Sequence, residues 1–81
     1  MMCYVYRSER RPETYLFLPA EDDFASVPDV LMELFGEPSF ALEFELTVER
    51  RLAQAEPAQV MASLREQGFY LQMPPANESL A

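Results

Sequence analysis

Met2-Cys3-Tyr4-Val5-Tyr6 and, after the polar stretch from Arg7 to Glu13, Tyr15-Leu16-Phe17-Leu18 behind Thr14 are the two segments on which the fold turns. Both are unbroken apolar runs dominated by β-branched and aromatic residues, and both are too short for a stable helix. They predict two strands joined as a hairpin. Neither run alternates with polar residues, and a strand that is apolar on both sides is usually covered on both faces. The pair is therefore expected at the centre of a sheet, with helices above and below.

Beyond Pro19 and the acidic loop Ala20 to Asp23, Ser26-Val27-Pro28-Asp29 opens a helix. Ser26 is the expected cap, Pro28 suits an early helical position, and Asp29 complements the helix dipole. Val30, Leu31, Leu34 and Phe35 supply an apolar stripe, and Gly36 with Pro38 ends it. From Ser39 to Leu46 the period changes to two: Phe40, Leu42, Phe44 and Leu46 are expected in the core, with Glu43 and Glu45 in water. Such a strand suits a sheet edge, where outward carboxylates discourage pairing with another chain. Thr47 would cap a short helical turn containing Val48 and Leu52. Pro57 begins a further helix with Val60, Met61 and Leu64 on its inner face and Gly68 at its end. Phe69 to Met73 reads as the last strand, stopped by Pro74-Pro75, with residues 76–81 as a frayed tail. The fold class is α+β: about four mostly antiparallel strands, two main helices and one short helix.

The chain has 81 residues, which is one domain, assigned to residues 1–75. Fourteen acids against six bases give a net charge of −8, and every base is arginine. This balance argues against nucleic acid, whose binding rests on phosphate neutralisation, and against an anionic membrane surface. Cys3 is the single cysteine, so no intramolecular disulfide forms, and no apolar segment reaches the length of a membrane span. A cytoplasmic location is the expectation.

The opening Cys3-Tyr4-Val5-Tyr6-Arg7-Ser8, the Thr14-Tyr15-Leu16 start of the second strand, the Val27-Pro28 to Phe35-Gly36 helix and the closing Gln67 to Pro75 stretch together resemble the YcgL family. The resemblance spans nearly the whole chain and rests on the order and spacing of these segments. It implies an α/β/α sandwich, a distribution mainly among gammaproteobacteria, and no established biochemical activity. No family active site is carried over with it.

The residue inventory removes several chemistries. With no histidine, imidazole-based triads and dyads are impossible, and one cysteine cannot build a thiolate zinc site in a monomer. Gly36 and Gly68 are the only glycines, so there is no glycine-rich phosphate loop. Glu21-Asp22-Asp23 lacks further ligands for a cation and reads as a solvated loop. Cys3, inside an apolar run, reads as structural, and Tyr4 and Tyr6 read as core rather than as a base-stacking platform. Glu43 and Glu45 share one face of a strand and read as solvated. No metal, no cofactor and no catalytic residue are expected.

One pattern points toward binding. Five of the six arginines fall in two clusters, Arg7-Arg10-Arg11 in the first hairpin and Arg50-Arg51 after the third strand. Guanidinium forks hold carboxylates and phosphates in a bidentate manner, so converging clusters would form one anion-binding surface. The expectation is a non-catalytic interaction or regulatory module for a protein partner, an acidic one where the arginines face it. The alternative is a sensor of a small anion or nucleotide. Internal pairing of the arginines with the chain's own carboxylates is the structural explanation to weigh against both.

Overall fold

A computed structural model describes residues 1–52 and 55–74 of the chain. The elements run β1 (Met2–Ser8), β2 (Tyr15–Leu18), α1 (Asp29–Phe35), β3 (Pro38–Glu45), α2 (Pro57–Glu66) and β4 (Tyr70–Gln72). They form a four-stranded sheet in the order β3-β1-β2-β4, with every neighbouring pair antiparallel. The two unbroken apolar runs are thus the central strands. The expected tail, residues 76–81, and Pro75 lie outside the described residues.

Alternation along β1 and β2 sends successive side chains to opposite sides of the sheet. Cys3, Val5 and Phe17 pack with Leu46 and with Val60 and Leu64 of α2. Tyr6, Leu16 and Leu18 pack with Val27 and with Phe35 of α1. Each helix therefore supplies the apolar cover for one of the two clusters. Full burial of a leucine, valine or phenylalanine contributes about 1.5–3 kcal/mol. The two clusters hold five and four such residues, beside Cys3 and Tyr6 respectively.

Three local expectations are revised by the coordinates. First, Ser26 does not cap α1: the N-cap is Pro28, with no side-chain hydrogen bond. On α1 Phe35 is buried and Leu31 and Met32 are partly buried against the same cluster, while Val30 and Leu34 are exposed. The helix is rotated by about one residue because Val27, Leu31 and Phe35, each four apart, meet the sheet together. Second, the segment after β3 makes only one turn, closed by the Arg50 N–H donating to the Thr47 carbonyl at 3.1 Å, and no short helix forms among the described residues.

Third, β3 does not bury Phe40 and Leu42, which are 51% and 46% exposed, and Phe44 is only half-buried. The register explains this. Leu42 opposes Val5 and Phe40 opposes Tyr6, so a β-bulge at Ala41 places two residues of β3 across from one of β1. An extra residue reverses the alternation beyond it. Leu42 and Phe44 share the α2 side of the sheet, whereas Phe40 turns to the α1 side and meets the Tyr6 ring edge-on at 5.6 Å. Glu43 and Glu45 are exposed as expected.

Candidate binding surface

The hairpin between β1 and β2 is built around Ser8. Its buried Oγ–H donates to the Phe35 carbonyl at 2.6 Å, and its oxygen accepts the backbone N–H groups of Arg10 at 3.2 Å and Arg11 at 2.9 Å. That geometry sets the two arginines at the end of α1. The Arg10 guanidinium donates to the Glu33 carbonyl at 2.8 Å, and Arg11 Nε donates to the Leu34 carbonyl at 3.3 Å. The last carbonyls of a helix lack partners and carry partial negative charge. α1 has no basic residue in its own last turn, and the hairpin supplies two.

Arg7 lies in β1 in step with Cys3 and Val5, hence on the α2 side of the sheet, and pairs with Glu9 at 3.3 Å. On the same side, the Arg50 guanidinium stacks 4.4 Å above the Phe44 ring. Among the described residues neither Arg50 nor Arg51 has a carboxylate within salt-bridge distance. The structure therefore regroups the five arginines. Arg7, Arg50 and Arg51 belong to the α2 side, Arg10 and Arg11 to the end of α1, and no described cavity is lined by members of both groups. The two sequence clusters do not converge on one surface.

Arg50 and Arg51 border a trough of about 290 Å³. Its floor is apolar: Val5 and Phe17 from the central strands, Leu42 and Phe44 from the edge. Tyr15 and Gln72, which face each other across β2 and β4, close its far side. Val60 and Leu64 of α2 pack in one cluster with Cys3, Val5 and Phe17, so Val5 and Phe17 are themselves buried and Leu42 is the exposed apolar residue of the trough. Its lining contains no aspartate or glutamate. The adjoining hollow that Arg50 and Arg51 also line does contain acids, Glu49 and Glu56. A ligand in the trough would find apolar contact below and two guanidinium forks at the margin.

The other candidates are occupied by structure. Tyr6 is buried, and its Oη–H donates to Asp22 Oδ1 at 2.9 Å while the oxygen accepts the Asp22 N–H at 2.7 Å. This pair fixes the acidic loop, in which Asp22 adopts a φ of 59°. Burial, reinforced by the Asp22 carboxylate, raises the Tyr6 pKa above its usual value. Cys3 is fully buried, and burial pushes its thiol up to about 12, against a small opposing effect of the nearby N-terminal charge. Such a thiol is a packing group, not a nucleophile. No cluster of three metal-ligating side chains occurs among the described residues, and none of their helices is long and apolar enough to cross a membrane.

Arg50 and Arg51 were visible in the sequence as a pair. Their neighbours Tyr15 and Gln72 were not, because strands distant in sequence bring them together and no local motif marks them.

The fold and the trough define a small α+β domain with a four-stranded antiparallel sheet and two helices, carrying an arginine-bordered apolar surface. The chain belongs to the YcgL family, whose domain profile matches residues 3–75. It is 59% identical over 78 residues to a YcgL domain-containing protein of Thioalkalivibrio sulfidiphilus, covering 96% of both chains. Relatives from Proteus mirabilis and Vibrio cholerae are each 46% identical over 80 residues, which is 99% of this chain and 82% and 86% of theirs.

Proposed function

We propose that this YcgL domain is a non-catalytic interaction module whose recognition surface is the trough bordered by Arg50 and Arg51. The single observation that supports this reading is the pairing of an apolar floor with two arginines that have no carboxylate partner among the described residues. A partner protein would bring an acidic segment bearing an apolar side chain. The fold reading that accompanies it is an α/β/α sandwich. A soluble cytoplasmic setting agrees with a buried, reduced Cys3.

Peptide selection on the immobilised domain tests the proposal. The intact domain should enrich acidic, apolar-bearing peptides, and R50E/R51E should lose that enrichment while R10E/R11E, where still folded, retains it. Equal enrichment on the intact domain and on R50E/R51E would overturn it. A second reading, a sensor of a small amphipathic anion, is favoured by the trough volume, which is near the lower limit of small-molecule sites. Aromatic carboxylates or nucleotides that bind in an Arg50-dependent manner, with no peptide bound, would select that reading.

A further inference from the structure

On the opposite side of the sheet from the trough, a groove of about 160 Å³ lies between α1 and β4. Its apolar walls come in two pairs. Leu31 and Leu34 are three apart on α1, and Leu71 and Met73 are two apart along the β4 segment, so each pair shares one side of its element. Leu31 and Leu71 are partly buried against the Tyr6 cluster, whereas Leu34 and Met73 are 49% and 52% exposed. β4 is an edge strand, so no further strand closes the groove.

Arg11 is the charged residue of the lining. Its Nε donates to the Leu34 carbonyl at 3.3 Å, which holds the guanidinium beside the groove, and its terminal nitrogens have no carboxylate partner among the described residues. A guanidinium carries five N–H donors, and those left over suit the two oxygens of one carboxylate. A second, wider hollow shares Arg11, Thr14 and Met73 with the groove and adds Arg10. Glu13 and Glu33 adjoin lining residues along the chain, but no aspartate or glutamate lines either hollow.

Size decides the kind of occupant. An apolar cavity of about 150 Å³ holds one benzene ring, and the groove has nearly that volume. A specific protein contact covers about 800 Å² on each partner, far more than these half-covered side chains present. We infer that the groove binds a small free carboxylic acid carrying one aromatic ring or one branched alkyl group. The ring or alkyl group lies among Leu31, Leu34, Leu71 and Met73, and the carboxylate meets Arg11. This site is separate from the trough and does not rest on the interaction-module reading.

The experiment is a titration of the isotope-labelled chain with sodium benzoate, benzamide, sodium acetate and benzylamine, followed by amide chemical shifts. Benzoate should move the amides of Leu31, Leu34, Leu71 and Met73 and approach saturation by about 20 mM, the range expected of so small a ligand. Benzamide keeps the ring and acetate keeps the charge, and each should bind at least about threefold more weakly. Benzylamine, a cation, should bind weakest. Arg11→Gln should remove the preference for benzoate over benzamide, Arg11→Lys should keep part of it, and raising the salt should reduce it. Leu34→Gln, at an exposed position, should weaken benzoate and leave acetate unchanged, and R50E/R51E should leave the whole titration unchanged. The amide spectra themselves show that each variant is folded. Benzoate shifts centred on Arg50 and Arg51, equal affinity for benzoate and benzamide, or no saturation would each overturn the inference. So would tighter binding at these amides by acetyl-Gly-Ser-Leu with a free carboxylate, because the groove would then take a chain end and not a free acid.

Discussion

Ser8 and Phe35 are joined by a 2.6 Å hydrogen bond from the serine hydroxyl to the last carbonyl of α1, inside the protein. The same oxygen accepts two backbone N–H groups of the hairpin. One small side chain thus shapes the β1–β2 turn and attaches α1 to it. Ser8→Ala leaves a buried carbonyl and two donors without their partner, and a buried unsatisfied group costs about 1–3 kcal/mol. Urea denaturation should show a loss of about 2–3 kcal/mol. A loss under about 0.5 kcal/mol would mean that the turn holds without the hydroxyl.

Gly68 follows the end of α2 with φ of +86°, and a Cβ built there would lie 2.6 Å from Ser26 Oγ and 2.7 Å from Ser26 Cβ. The backbone conformation alone costs a non-glycine residue about 1–2 kcal/mol, and the contact with Ser26 adds to it. Gly68→Ala should therefore destabilise the domain by more than about 2 kcal/mol. A G68A/S26G double variant should recover the steric part and not the conformational part. Equal stability of single and double variants would show that Ser26 moves aside freely.

Phe35 is almost fully buried, while Phe40 is half in solvent on the outer strand. Phe35→Ala should cost about 3–5 kcal/mol, a large share of a small domain's stability, and Phe40→Ala about 1 kcal/mol. Chemical denaturation of the two variants, side by side, checks the contrast.

Phe40 also marks where sequence reading ends. The two-sided apolar runs of β1 and β2 placed both strands centrally, because a covered face needs apolar residues whatever the rest of the chain does. The period-two pattern of Phe40, Leu42 and Phe44 promised one buried face, and the bulge at Ala41 divided it between two. A bulge depends on pairing with β1, so no residue within β3 announces it. The arginines divide similarly. Adjacency joined Arg7 to Arg10 and Arg11, but strand alternation and the Ser8 turn send them to different sides of the sheet. Arg50 and Arg51 line one trough with Tyr15 and Gln72, and that meeting follows from the pairing of β2 with β4 and not from any motif.

Cys3 and Tyr6 both lose a proton less readily in the folded chain than in the unfolded one. A raised pKa on an acid that is neutral when protonated means stability held below the unfolded value and lost as pH rises through the folded one. For Cys3 that window runs from about 9 to about 12. Stability should fall across it, and Cys3→Val should flatten the fall. Native Cys3 should also resist iodoacetamide at neutral pH and react on unfolding in urea; prompt alkylation of the folded chain would contradict its burial.

Reversing Arg10 and Arg11 should weaken the fold, unlike the reversal of most exposed loop residues, which changes stability by under about 0.5 kcal/mol. Both guanidiniums donate to α1 carbonyls, at 2.8 Å from Arg10 and 3.3 Å from Arg11. R10E/R11E removes both donors and sets two carboxylates against the negative end of the helix. Exposure to solvent discounts each contact, and a charge at a helix terminus is worth about 0.3–1 kcal/mol. The combined effect of lost attraction and new repulsion is about 1–3 kcal/mol. R50E/R51E removes no hydrogen bond to the described residues and one stacking contact with Phe44, so its cost should stay below about 1 kcal/mol. Thermal melts of the two double variants, at low salt and again at high salt, separate the roles: R10E/R11E should melt lower, and the gap should narrow as salt screens the helix end. If R50E/R51E melts lower instead, the arginines beside the trough support the fold, and their availability to a partner would have to be abandoned.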